Sequence, residues 1–356
     1  MINPDRILVT QLRRVGDVMM CTPALRALRM RFPESHIAFL TEKESESLLW
    51  GNPNLDELIV FDKERYKDPF YMLKQIHNIR RRSFDLAIDF FGNPRSAWIC
   101  FSSGASHRLG PDLGVRSHLY NLKMKKDQSP RYAAQSRLDG LEVLGIRTTD
   151  VSLDFFLSDK AKNFAKDFFK KKDIGQTDLV ISVSPTSRRD FNRWSLERYA
   201  SVCDFLVSKY KVKIILVWGP GERTVVDRLN HLSKSELTIS PLTPTLQELG
   251  AILQRCDLHL GNDNGTKHVA VAVDTPTLTI FGPNSHISWT YPDERRHRWI
   301  QAESLCKDCE RIKHRCKEPS CLDSIQVDSV KEKLEEFLKD NLDERKLKKA
   351  YDFRTG

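Results

Sequence analysis

Residues 6–41 read RILVTQLRRVGDVMMCTPALRALRMRFPESHIAFLT, and their pattern decides the fold class. Two short apolar, β-branched runs, 6–10 and 36–41, enclose a segment at 22–31 whose apolar residues recur at helical spacing. Pro23 in a first-turn position behind a Thr22 cap marks where that helix begins. Strand, helix and strand in one short span imply a parallel pair, because parallel strands need a crossover connection. Outward from this unit the alternation continues, with strands expected at 57–61 and 85–90 and a helix at 69–82.

After a polar stretch at 170–178 the pattern restarts. Strands are expected at 179–184, 213–218, 257–261 and 277–281, with helices at about 195–209, 222–232 and 245–255. Thr245 and Glu248 stand in capping-box spacing at the start of the last of these. A charged amphipathic helix at about 328–338 follows. The reading is therefore α/β: two Rossmann-like, doubly wound parallel-sheet domains facing a cleft. The domains expected are 1–172, which would bind an acceptor, and 173–327, which would bind a nucleotide. The terminal segment 328–356 would be a helix that packs back on the first domain or frays. Length agrees, since 356 residues exceed one ordinary core and suit two.

A composition of 40% hydrophobic and 29% charged residues fits a globular protein, and no apolar run reaches the roughly 18 residues needed to span a bilayer. The N-terminus does not read as a signal peptide, because Gln11, Arg13 and Arg14 interrupt its apolar run, so a cytoplasmic protein is expected. The net charge of +9 favours anionic partners: nucleotide phosphate, phosphorylated glycolipid or an acidic membrane surface. Basic clusters fall at Arg80 to Arg82, at Lys123, Lys125 and Lys126, at Lys170 to Lys172, and at Arg295, Arg296 and Arg298. Solvated helix ends and loops account for most of them, and those in the first half are the ones to watch for acceptor or membrane contact. No recognisable nucleic-acid module accompanies the charge, so nucleic acid is not an expected partner.

Ligands of open α/β sheets sit at the carboxyl ends of the strands, so the loops there carry the chemistry. In the first of them, 11–17, Gly16 permits a sharp turn and Asp17 stands beside a helix N-terminus, either as a cap or as a base for a substrate hydroxyl. Arg13 and Arg14 are candidates for pairing with acceptor phosphate. A second loop, GNDNGTKH at 261–268, offers Asp263 or Asn264 as a cap and the backbone N–H groups of Gly265, Thr266 and Lys267 as an anion site, with Lys267 and His268 as added cations. Thr186, Ser187, Arg188, Arg189 and Arg193 gather in the loop 185–194. Glu222 closes GPGE, where a carboxylate can hold ribose hydroxyls. Neither GxGxxG nor GxxxxGK[ST] occurs, which argues against a standard dinucleotide enzyme or a P-loop ATPase.

Four segments together carry a resemblance: RVGDVMMCTPALRALRMRFPESHIAFLT at 14–41, NRW at 192–194, WGPGE at 218–222 and GNDNGTKHVAVAVDTPTLTIFGP at 261–283. They closely resemble the ADP-heptose:lipopolysaccharide heptosyltransferases, glycosyltransferase family 9, in the right order over nearly the whole chain. The resemblance implies a GT-B fold, an ADP-L-glycero-D-manno-heptose donor, a lipopolysaccharide inner-core acceptor, transfer with inversion, and no cofactor for catalysis. It also implies Asp17 as general base, and Thr186, Ser187, the NRW loop, Glu222 and Asp263 through His268 as donor-binding residues. Peripheral contact with the inner membrane goes with such an acceptor. Two positions depart from the family's pattern: Asn192 stands where Lys is common, and Asn264 where Ser or Thr is common. A transferase with another nucleotide-sugar donor, and a non-catalytic nucleotide-binding homologue, stay open as alternatives.

Of the eight cysteines, Cys21, Cys100, Cys203 and Cys256 lie in apolar surroundings, as buried thiols do. Cys306, Cys309, Cys316 and Cys321 crowd one segment with C-x2-C-x6-C-x4-C spacing, for which structural zinc is one reading and a metal-free loop the other.

Overall fold

The structure, a computed structural model, describes residues 2–124, 129–302 and 320–341. The chain divides into two units, Met1–Phe156 and Leu157–Gly356. In the first, strands β1 (Arg6–Thr10), β2 (His36–Glu42), β3 (Glu57–Phe61), β4 (Leu86–Asp89), β5 (His107–Pro111) and β6 (Leu122–Met124) form one sheet in the order β3-β2-β1-β4-β5-β6, every pair parallel. Helices α1 (Val15–Met19), α2 (Thr22–Arg31), α3 (Pro69–Arg80), α4 (Pro94–Ser102) and α5 (Ala133–Asp139) make the crossovers and the cover. Both faces of the central strands are covered, so β1 and β4 are apolar without alternation, and Ile7 lies between Ile37 and Leu86.

The second unit repeats the plan. It opens with α6 (Asp159–Lys171), and its sheet of β7 (Val180–Ser184), β8 (Lys213–Leu216), β9 (Thr238–Ile239), β10 (Leu258–Asn262), β11 (Thr277–Phe281) and β12 (His297–Gln301) runs β12-β11-β10-β7-β8-β9, again all parallel. Between the strands lie α7 (Leu196–Tyr210), α8 (Arg223–Leu232), α9 (Leu246–Leu253), α10 (Gly265–Ala272) and α11 (His286–Trp289). Helices α12 (Ser320–Asp323) and α13 (Val327–Asn341) follow. Both sheets therefore have the doubly wound order with a reversal at the centre, between β1 and β4 in one and between β7 and β10 in the other. Each reversal is tied at its amino end by an aspartate. Asp85 Oδ2 accepts from Arg6 N at 2.9 Å, and Asp257 Oδ2 accepts from Val180 N at 2.9 Å.

One boundary differs from the sequence expectation. The division falls after Phe156 rather than after 172, because α6 buries Ala161, Ala165, Phe168 and Phe169 in packing against α9. The Ser158 amide at its N-cap also donates to Gln247 Oε1 at 2.9 Å. Helix α13 packs into the core of the second unit, and the rest of the terminal segment, 342–356, lies outside the described residues. Val330, Leu334, Phe337 and Leu338 of α13 join Tyr199, Cys203 and Leu206 of α7, and Tyr210 donates to Glu335 at 3.0 Å.

Candidate functional site

In the first unit the switch point is built from the loops that leave β1 and β4. Gln11 and Leu12 are still buried, Arg13 and Arg14 are exposed, and α1 begins at Val15. Asp17 is the third residue of that helix. One of its carboxylate oxygens accepts the Arg14 amide at 3.4 Å, and the other lies 3.6 Å from the Arg137 guanidinium, with a quarter of the side chain exposed. It is thus both a cap and an accessible carboxylate held beside a cation. Arg13 sits over the Phe91 ring, 5.8 Å from its centroid, which joins the β1 loop to the β4 loop.

Behind them Asp89 ends β4, fully buried, and accepts from Tyr120 OH at 2.6 Å and from the amides of Phe91 and Gly92 at 2.9 and 3.0 Å. Burial pushes its carboxyl above the ordinary range, and these hydrogen bonds oppose the shift. Gly92 has φ +65°, and a Cβ there would stand 2.4 Å from the Pro111 ring, so glycine is required at this bend. Cys21 lies underneath, its thiol pushed up to about 12 by burial, and so behaves as a small apolar group.

In the second unit the residues singled out from sequence gather at the carboxyl ends of β7, β8 and β10. Asn264 is the N-cap of α10: Oδ1 accepts from Lys267 N at 3.2 Å, while Nδ2 donates to Ser184 Oγ at 2.8 Å and Thr186 O at 2.9 Å. One side chain thereby fixes the β7 loop against the start of α10. At that start the amides of Gly265 and Thr266 have no acceptor within the helix, which makes a ready anion site. Glu222 Oε2 accepts from Thr186 Oγ1 at 2.9 Å and from Gly219 N at 2.8 Å, and among the described residues no donor reaches its Oε1. Ser187 Oγ donates to Asp263 O at 3.5 Å.

The two expected cations of this loop are arranged differently from a phosphate clamp. Lys267 is 3% exposed and pairs with Asp263, itself 9% exposed, with its ammonium 4.2 Å from the Phe281 ring centroid. Burial works against ionisation of Asp263, but Lys267 and a 2.7 Å bond from Asn284 together hold its carboxyl below the usual range. Burial also pulls the Lys267 ammonium down, and Asp263 opposes it. His268 is buried, with its pKa lowered to about 3, so its imidazole is neutral at physiological pH. What this turn presents outward is backbone N–H, not side-chain charge.

In the loop after β7, Arg193 donates to Ser187 O at 2.5 Å and pairs with Asp190 at 2.8 Å, Arg189 covers Phe191, and Arg188 is exposed. Asn192 is buried, and among the described residues its Oδ1 has no partner. Trp194 is enclosed as well: its amide donates to Asn262 Oδ1 at 3.1 Å and its indole N–H to Ile325 O at 3.1 Å.

Sequence reasoning missed Arg137, Asp89, Asn262 and Asn284. The rule that selected Asp17, a carboxylate at a strand's carboxyl end, selects Asp89 equally. Arg137 leaves no local signal. Of the cysteine segment, Cys306, Cys309 and Cys316 lie outside the described residues, and Cys321 on α12 is buried. Among the described residues no three His, Cys, Asp or Glu side chains gather to hold a metal.

The family profile described as Glycosyltransferase family 9 (heptosyltransferase) matches residues 72–319. Lipopolysaccharide heptosyltransferase 3 of Escherichia coli strain K12 is 26% identical over 297 residues, 78% of this chain and 83% of its own. Lipopolysaccharide core heptosyltransferase OpsX of Haemophilus influenzae is 23% identical over 291 residues, 78% of this chain and 79% of its own. Among solved structures, a family 9 glycosyl transferase from Veillonella parvula superposes with a TM-score of 0.85 at 25% identity, covering 94% of this chain and 97% of that one. The E. coli ADP-heptose heptosyltransferase II shares the fold, with a TM-score of 0.75 at 20% identity over 94% and 98%.

Proposed function

The chain belongs to glycosyltransferase family 9, the heptosyltransferase family, and we propose that it transfers a heptose from ADP-L-glycero-D-manno-heptose to the inner core of lipopolysaccharide. The observation that carries this reading is the switch point of the second sheet. There Asn264 ties the α10 N-terminus to Ser184 and Thr186, Thr186 in turn bonds Glu222 and Ser187 bonds Asp263 O, in a chain whose relatives over most of its length are named heptosyltransferases.

In the reaction Asp17 takes the proton of an acceptor hydroxyl, whose oxygen forms a bond to the anomeric carbon as the bond from that carbon to the diphosphate oxygen breaks. The single displacement inverts the anomeric centre. ADP leaves carrying the electron pair, and the amides of Gly265 and Thr266 receive its phosphate charge, with Arg188 as the exposed cation of the neighbouring loop. Glu222 Oε1 accepts from ribose hydroxyls. Arg137 holds the Asp17 carboxylate in place, and Arg13 and Arg14 face acceptor phosphate. No cofactor takes part in these steps. The enzyme works in the cytoplasm, in peripheral contact with the inner membrane that carries its glycolipid acceptor; none of the described helices is long and apolar enough to cross a membrane.

Asp17→Asn tests the assignment, because the amide oxygen still accepts the Arg14 N–H while the base is lost. Transfer, followed as ADP released, should fall by about 10²- to 10⁴-fold with ADP affinity unchanged. Residual transfer with lost ADP binding would sink the role given to Asp17. A panel of ADP-, UDP- and GDP-sugars settles the donor.

A further inference from the structure

Half of the twelve large apolar side chains exposed among the described residues stand on one layer of the first unit. Helices α3 and α4 and the turn Gly114–Leu119 pack side by side over the sheet, and they bury Ile79, Ala97, Ile99, Cys100 and Tyr120 inward. Their outward face carries Phe70 and Leu73 on α3, Trp98 and Phe101 on α4, and Leu113 and Val115 around the turn. The exposure is not marginal: Phe70 is 81% exposed, Trp98 58% and Val115 87%. Each helix pair is spaced i, i+3, so it forms a stripe one turn long. Trp98 and Phe101 touch edge to face with ring centroids 5.9 Å apart.

Basic side chains surround these stripes. Lys67, Lys74, Arg80, Arg81 and Arg116 are exposed and make no ion pair among the described residues. The nearby acids are largely matched: Asp68 pairs with Arg65 at 3.1 Å and Asp112 with Lys123 at 3.1 Å. Lys74 lies one turn after Phe70, on the same side of α3. We propose that this face docks on an anionic bilayer, with Phe70, Leu73, Trp98, Phe101, Leu113 and Val115 entering the headgroup region and the cations meeting lipid phosphate. Apolar side chains projecting from three elements through a basic surface suit a fluid interface, and an indole is amphipathic enough to rest at headgroup depth. Net positive charge around an apolar stripe is the complement of such a surface.

The inference rests on the reading that the acceptor is lipid-anchored, and the experiment separates the two. Sedimentation with vesicles of phosphatidylethanolamine and phosphatidylglycerol should pull down the full chain far better than vesicles of phosphatidylcholine alone. Phe70→Ser, Leu73→Ser and Trp98→Ser together should lower the partition by about tenfold or more for each side chain that fully inserts. Lys74→Gln and Arg81→Gln should lower it by about fivefold each. Brominated lipid should quench wild-type tryptophan fluorescence, and Trp98→Phe should remove that quenching, a readout that does not require the triple variant to fold. Transfer to a deacylated, water-soluble acceptor should be unchanged in these variants; its absence in the wild-type protein would overturn the proposed function and leave the docking result standing. Equal partition of wild type and triple variant overturns the docking face. So does a wild-type dimer that the triple variant dissociates, which would make the patch an interface between copies.

Discussion

Replacing Lys267 by Met removes the charge beneath the donor loop while keeping an unbranched apolar stem. The ammonium is 3% exposed, paired with Asp263 and set against the Phe281 ring, so its loss leaves a buried carboxylate with Asn284 as its remaining side-chain donor among the described residues. Breaking one side of a buried pair costs about 3–5 kcal/mol. For a unit of this size each kcal/mol moves the midpoint by roughly 2–4 °C, which gives a fall of about 6–20 °C in the calorimetric transition of the second unit.

The pH dependence distinguishes this cause from ordinary loss of packing. In the wild type Asp263 titrates below its ordinary value, so the pair stabilises the fold above about pH 4, and that stability is lost as pH falls through the lowered folded value. Without Lys267 burial dominates and raises the same carboxyl. The folded variant then binds the proton more tightly than the unfolded chain and loses stability as pH rises above about 4. The gap between the two proteins should be widest at pH 7 and narrow toward pH 4, and Asp263→Asn added to Lys267→Met should recover most of the loss. A midpoint shift under about 2 °C at pH 7, or a gap that stays constant with pH, would refute the account.

Two further outcomes follow from the same loop. Asn264→Ala removes the α10 cap together with the bonds to Ser184 and Thr186, so unfolding should cost about 1–3 kcal/mol less and calorimetry should show weaker ADP binding. Asn264→Ser should restore most of the stability, and an alanine variant with wild-type affinity would remove the cap from the donor site. His268, lowered by burial to about 3, must stay neutral to stay folded, so it costs stability as pH falls below about 6.5. His268→Gln should flatten that acid decline in urea unfolding, and parallel declines in the two proteins would show that other groups cause it.

The strands were legible because both faces of each sheet are covered, so a short β-branched run is signal enough: Arg6–Thr10, Glu57–Phe61 and Thr277–Phe281 fall where their composition places them. Strand order came only with the doubly wound reading as a whole, since nothing local to β4 or β10 says that it lies beside the first strand of its sheet. Asp85 and Asp257 hold those neighbours together through contacts nearly eighty residues apart in sequence.

The direction of a charge was equally hidden. Lys267 reads as a phosphate cation from its residue type, yet Asp263 stands one helical turn before it, and the i, i+4 spacing already offered an internal partner. Arg137 reaches Asp17 from a helix 120 residues further on, where no motif marks it. Asn192 illustrates the same limit from the other side. By residue type it is a missing positive charge, whereas in the fold it is a buried amide whose Oδ1 would lie 2.9 Å from a Cβ at position 282, with Phe191 O at 2.7 Å. Glycine at 282 and asparagine at 192 are therefore a packed pair, and a longer cation at 192 would have to turn out of that space to reach a phosphate. Position 192 constrains the turn after β11 first and the charge of the donor loop second, which is why comparison of residue types alone misjudges it.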